Sequence, residues 1–394
     1  SGGRPDSQRA MALTSLTTRP LCYFNLPDEE EVHIEYRSLD KLGRPTGPLD
    51  HHSFSWRVLE TTLVDRFRGS SQRKRRLPGS RVMAINPVAS EIKRAKLLLY
   101  AADALRGKRE KPPYDGRPPA GPGIQTDVFD TKLKGILRAA KVRGAGGPYG
   151  YLRIFTFDVP GTKVFLKELA RLLELMPPRG LIIDIRDNPG GVIVAAEMAL
   201  QFFVARPISP VRFSILATDF SRRFCRLPAQ RAEYDPWIES LGAAVENGEP
   251  YSSALPITDP GKAKFVSQIY HGPVVLVADA TTYSSGDLFA AGFVDNAIGQ
   301  LVCVGNSTGA GGACVWNYKD LKAAVSTADF DLPSLPGGAG FAFSMMRATR
   351  VEANLGRQIE DVGVPGAIHY EMTRADLLHS NRDLLARCIE LLRQ

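Results

Sequence analysis

Apolar and polar positions change their rhythm near residue 149. Upstream, residues 31–37 and 52–58 alternate, the period of short strands with one face turned to solvent, and 43–48 supply the turn between them. Residues 1–20, polar and rich in small side chains, predict a loose arm. Residues 66–80 predict a basic polar loop. From Ala89 to Leu105 the residues Ile92, Ala95, Leu98, Leu99 and Ala102 recur at helical spacing. The next stretch, 106–125, holds five prolines and four glycines and predicts a linker. Downstream the elements alternate in type. Tyr149 to Phe157 is strand-like, and Val164 to Met176 presents one apolar face and stops at Pro177-Pro178. Leu181 to Ile185 is a buried-strand run, and Val192 to Val204 is helical again. After an irregular 206–262 come a strand at Val274 to Ala278, a helix from about Ser285 to Ala297 and a strand at Leu301 to Val304. A glycine-rich loop over 307–340, a strand near 341–351 and a helix over 373–392 complete the chain. Strand and helix in succession predict an α/β fold around a largely parallel sheet.

Composition adds limits. With 394 residues, 44% apolar and 23% charged, the chain is globular and long enough for two to three units. No stretch reaches the ~20 apolar residues of a membrane span. Five cysteines, widely spaced and without a C-x-x-C, argue against a zinc cluster or a disulfide framework and for a reducing, cytoplasmic setting. The chain opens without Met, which leaves room for a removed targeting peptide. The net charge of +8 comes largely from local clusters such as Arg73 to Arg76 and Arg106 to Arg109, and no interleaved aromatics accompany them. Solvated loops are expected there, not a nucleic-acid surface.

Gly305-Asn306-Ser307-Thr308-Gly309 matches G-x-S-x-G, but a nucleophile elbow needs a helix next, and Gly309-Ala310-Gly311-Gly312 cannot begin one. Ser284 is better placed, between an apolar strand and an amphipathic helix, where ligands meet α/β sheets. There the N–H of Ser285 could face an oxyanion; the alternative is that Ser284 or Ser285 is an N-cap. Asp184 to Gly191 forms another strand–turn–helix junction, whose Gly190 and Gly191 could supply a second donor or be ordinary turn chemistry.

Leu181 to Gly191 resembles the D-x-R-x-N-x-G-G signature of the C-terminal processing (tail-specific) serine peptidase family. Thr281 to Asn296 is similar to its nucleophile segment, Gly150 to Ile154 to its opening strand, and Ile359 to Pro365 to its closing element. The four lie in the same order over roughly 149–370. One departure stands out: bacterial members pair the serine with a lysine in the turn matching Gly309 to Gly312, which has none, and Lys319 lies too far along. The resemblance is then to the branch that includes the tricorn protease and the secreted chlamydial protease, where a histidine and a glutamate complete the site. Leu49-Asp50-His51-His52-Ser53 looks like the histidine segment, with His52 as the matching residue, and Glu360 matches the glutamate; Asp361 and Glu352 are its competitors. Serine needs such a base, and imidazole suits neutral pH.

The resemblance implies a crotonase/ClpP-like β-β-α catalytic domain over 149–394, an N-terminal arm and strands over 1–53 carrying the base, and a divergent insert over 54–148. Within the insert, Gly79 to Asn86 faintly resembles the end of a PDZ domain. It implies a serine endopeptidase acting on protein or peptide substrates, with catalytic Ser284, His52 and Glu360 and an oxyanion hole from Ser285 with Gly190 or Gly191. No cofactor, metal, nucleic acid or membrane span is expected, and oligomeric state is left open. The competing expectation is a catalytically silent relative that binds peptides or partner proteins.

Overall fold

The computed structural model describes residues 4–17, 28–40, 44–56, 125–263, 267–325, 330 and 332–394. The expectations for 66–80, for the helix at 89–105, for nearly all of the 106–125 linker, for both basic clusters and for the PDZ-like segment lie outside the described residues. The chain divides into two units, residues 1–18 with 76–394 and residues 19–75.

In the smaller unit the alternating segments form an antiparallel pair, β1 (Glu31–Leu39) and β2 (Pro45–Ser55), with Ile34 opposite His52. Most of the expected turn at 43–48 is strand, because Pro45 and Thr46 already pair with Leu39 and Ser38.

In the larger unit the expected loose arm is instead a helix, α1 (Pro5–Thr17), and its Ser7 is buried. Burial of that end, not helical pattern, holds it. Seven strands form the main sheet: β3 (Gln125–Phe129), β4 (Leu137–Gly144), β5 (Gly147–Ile154), β6 (Leu181–Asp184), β9 (Val274–Asp279), β10 (Gln300–Ser307) and β13 (Pro365–Tyr370). Their order is β13-β10-β9-β6-β5-β4-β3. The central four are mutually parallel, and antiparallel strands flank them on both sides. Because β5 pairs with β4 as a hairpin, the sheet reaches back to residue 125.

The parallel strands are buried on both faces, which explains their unbroken apolar runs. Leu181, Ile183, Leu276 and Cys303 point to one side, under α2 (Thr162–Glu174), α3 (Ile193–Leu200) and α7 (Ser285–Asp295). Ile182, Val275, Val277 and Val302 point to the other, under α10 (Arg382–Leu391). The expected C-terminal helix is two, α9 (Arg374–Leu378) and α10, broken where Asn381 takes a left-handed φ of 64°.

The stretch 206–262 is more ordered than its prolines suggest. It holds β7 (Arg212–Ile215), α4 (Asp219–Cys225), α5 (Pro228–Tyr234), α6 (Ile238–Asn247) and β8 (Leu255–Pro256). Pro228 sits in the first turn of its helix, where a missing N–H costs nothing, and Phe224, Tyr234, Trp237 and Leu241 are buried. The expected loop at 307–340 likewise contains β11 (Ala313–Asn317) and α8 (Tyr318–Ala324). A second, antiparallel sheet runs β11-β12-β7-β8, with β12 at Ala342–Thr349. Among the described residues no helix is long and apolar enough to cross a membrane.

Candidate active site

Parallel strands that leave a sheet side by side bring their C-terminal connections together. β6 and β9 are such neighbours, with Asp184 opposite Val277. Their turns are stitched. Thr282 Oγ1 donates to Ile185 O (3.0 Å), Tyr283 N–H to Asn188 O (2.8 Å) and Asp187 N–H to the Asp279 carboxylate (3.0 Å). Asn188 shapes the first turn from inside: its amide donates to Ile154 O (3.0 Å) while its Oδ1 accepts the Gly190 N–H (2.9 Å). Beneath, Asp184 is buried against Arg153, Arg186 (2.7 Å) and the Tyr151 hydroxyl (2.9 Å). Burial works to raise its pKa, but the two guanidinium groups win and hold the carboxyl well below the usual range. In D-x-R-x-N-x-G-G the acid and arginine thus lock the strand end, the asparagine shapes the turn, the first glycine meets the serine and the second packs on Phe157.

Ser284 leaves its strand with φ 61° and ψ −127°, a conformation that a residue with a Cβ holds only when its surroundings enforce it. Asp287 enforces it. Its buried carboxylate accepts from the Ser284 N–H, the Thr308 hydroxyl, the Ala310 N–H (3.0 Å) and the Gly311 N–H (2.9 Å). Even against these donors, burial pushes its pKa up to about 6. Ser284 and Asp287 stand at the spacing of a capping box, of which only the acid's half is made: the Ser284 side chain forms no cap hydrogen bond. The N-cap alternative therefore does not account for its hydroxyl.

Gly190 lies against that hydroxyl. A Cβ on Gly190, at φ 96°, would fall 2.6 Å from Ser284 Oγ and 2.9 Å from Ser285 N. Gly191, at φ 143°, is pressed on Phe157, whose backbone brackets it through Phe157 N–H to Gly190 O and Val192 N–H to Phe157 O, both 2.8 Å. The Gly190 N–H is taken by Asn188. Among the described residues the N–H groups of Gly191 and Ser285 have no hydrogen-bond partner.

Glu360 joins the same cluster. A Cβ on Gly312 would sit 3.1 Å from its backbone N. Its carboxyl is half-buried, and its Oε2 is sealed from solvent without a hydrogen-bond partner among the described residues. Burial first, then Asp361 and Asp287, push its pKa up to about 7. The neighbouring Tyr283 phenol is raised by burial and then by Glu360. The glycine turn now has a physical reason. Cβ atoms on Gly309 and Gly311 would fall 2.7 and 2.2 Å from the Tyr283 ring, and one on Gly312 would fall 2.4 Å from Ile359. A lysine has no room at those three positions, and Lys319 is exposed on α8.

Of the residues singled out from sequence, Ser284, Ser285, Gly190, Gly191 and Glu360 gather in the larger unit. His52 belongs to the smaller one, exposed on β2 with its ring 4.3 Å from that of Phe54. Glu352 is turned elsewhere, bonded to the Ser209 hydroxyl, and Asp361 is exposed. Sequence reasoning missed the clasp made by Asp287; the Ser-x-x-Asp capping spacing was its available signal. Among the described residues no three of His, Cys, Asp and Glu gather as a metal site.

A serine at an enforced positive-φ junction, its hydroxyl against the glycine turn at Gly190, fits a serine-hydrolase type of site on an α/β fold. Residues 148–333 match the model of peptidase family S41. Over that segment the chain is similar to the C-terminal processing serine peptidases. A curated relative, the carboxy-terminal processing protease CtpB of Bacillus subtilis (strain 168), is 32% identical over 106 residues. That match covers 27% of this chain, and the chain spans only about a fifth (22%) of the relative's length. Among solved structures, mature CPAF complexed with lactacystin is similar in fold at a TM-score of 0.56 and 16% identity, covering 98% of this chain and 72% of that one. A second structure of mature CPAF gives 0.56 and 16%, with 100% and 73% covered.

Proposed function

We propose that the chain is a serine endopeptidase. The observation that carries this reading is the packing of Gly190 on the Ser284 hydroxyl, next in sequence to the Ser285 and Gly191 N–H groups that have no hydrogen-bond partner among the described residues. Ser284 Oγ attacks a peptide carbonyl, and those two N–H groups receive the oxyanion; Gly190 itself is excluded as donor because Asn188 holds its N–H. The proton goes to His52 and then to the leaving amine. The role of His52 rests on the sequence pattern around Asp50 and Ser53. The role of Glu360 likewise rests on the resemblance, and among the described residues its buried Oε2 has no hydrogen-bond partner. A second reading, a silent relative that binds peptides, draws on the turn at 309–312, which has neither a lysine nor room for one at its glycines. A fluorophosphonate probe separates the two. The peptidase reading expects covalent labelling at Ser284, lost in Ser284→Ala and in His52→Ala; an unlabelled wild-type protein supports the silent relative.

A further inference from the structure

The segment ahead of α1 sits among the loops of the site. Asp6 grips the Arg4 guanidinium through two bonds, Nε to Oδ1 (3.0 Å) and Nη2 to Oδ2 (2.9 Å). So fixed, Nη1 donates to the Ser307 hydroxyl and to Val362 O (2.7 Å). One turn on, the Ser7 hydroxyl donates to Ala280 O (3.2 Å) and is buried. These acceptors sit at the two loops that matter most. Ala280 is the first residue after β9, four before Ser284, and Val362 lies two beyond Glu360. Gly363 makes room: at φ 72°, a Cβ there would fall 2.6 Å from Arg4 Nη1 and 2.7 Å from Thr308 O.

We infer that Arg4 and Ser7 are positioning residues, a strut that ties the nucleophile turn to the loop bearing Glu360. Neither touches the reacting atoms. Each acts on the backbone of a turn whose strained conformation must be enforced from outside, as Ser284 at φ 61° and Asp361 at φ 62° require. The catalytic part of this inference rests on the peptidase reading; the mechanical part does not.

The test compares wild type, Arg4→Gln and Ser7→Ala by two readouts. The first is amide hydrogen exchange over Thr281–Asp287 and Glu360–Val364. The second is the kinetics of labelling by a fluorophosphonate probe. The strut predicts faster exchange in both segments on loss of Arg4, and in the first on loss of Ser7. It also predicts a maximal labelling rate lowered about tenfold in Arg4→Gln with half-saturation unchanged, since small misplacements of a nucleophile cost rate more than binding. Ser7→Ala, which removes one hydroxyl, carries the same readouts if Arg4→Gln folds poorly. Unchanged exchange in both segments overturns the strut. A wild type that is not labelled at Ser284 fails the peptidase reading instead, and the exchange data still decide the strut.

Discussion

Two serines follow neighbouring parallel strands here, Ser284 five residues past β9 and Ser307 at the end of β10, and their surroundings differ in the one respect that matters to an oxyanion. Ser307 carries the familiar spacing, a glycine on either side at two residues' distance. Yet the N–H groups that follow it are already used: Gly309 donates to Thr282 O (2.7 Å), and Ala310 and Gly311 donate to Asp287. Its hydroxyl is held by Arg4 and by the carbonyls of Thr308 and Val362. Ser284 has the less familiar sequence, but a helix begins directly after it, and the first N–H groups of a helix have no partner within it. A glycine spacing advertises a turn; whether the turn has donors left over depends on what else packs there.

The sharpest way to break this comparison is to remove each hydroxyl in turn. Ser284→Ala should abolish peptide hydrolysis, a loss of about 10⁴-fold or more, while Ser307→Ala keeps most of it. A fluorogenic peptide assay checks both, and an inactive Ser307→Ala would reverse the assignment. Next in size is Glu360, the orienter in the proposed mechanism. Glu360→Gln should cut turnover by roughly 10²-fold or more, because the amide no longer stabilises a developing imidazolium, whereas Glu352→Gln should leave turnover near wild type.

The glycines give a third contrast. Gly190→Ala forces a methyl onto Ser284 Oγ and should cost about 10²-fold in turnover. Gly305→Ala meets nothing within 4 Å and strains only a φ of 92°, so it should lower stability by about 1 kcal/mol and spare activity. The clasp common to both regions is tested by Asp287→Asn. An amide NH₂ would then face backbone donors, and chemical denaturation should register a loss of about 2–3 kcal/mol.

The smallest expected effect is on pH. Asp287, at about 6, Glu360, at about 7, and the buried Glu197 of α3, also at about 7, all have folded pKa values above their unfolded ones. The folded state therefore binds more protons between about pH 4 and 7, and stability should fall as pH rises through that window and level off above it. Melting temperatures measured across it should decline less steeply in Glu360→Gln and in Glu197→Gln. Wild-type stability that rises over the same window would contradict the burial of these groups.

Much of the candidate site is legible in the sequence, and the reasons are local. Strand-length apolar runs bounded by turn residues placed β6, β9 and the helices that follow them, because a parallel strand buried on both faces has to be apolar throughout. The resemblance over 149–370 then drew attention to Ser284, Gly190, Gly191 and Glu360. Short elements among prolines, such as α4 to α6, escaped because their burial comes from Phe224, Trp237 and other side chains packing at long range, which no local period reveals. The same holds for the two strands ahead of residue 149.

By itself, then, the sequence determined the α/β alternation, the two strand–turn–helix junctions and which serine has a helix after it. Those are properties of neighbouring residues, expressed through period, turn chemistry and helix termini. Even which glycine N–H is taken is local, since Asn188 accepts that of Gly190 two residues on. Only the tertiary structure decided that Asp287 fastens the serine to the turn at 308–311, and that the Tyr283 ring packs against Gly309 and Gly311. It also turned an expected loose arm into a contact between Arg4 and residues some 300 positions away. Such facts depend on which atoms reach a shared donor or a shared volume first, and that competition exists only once distant segments have been packed together.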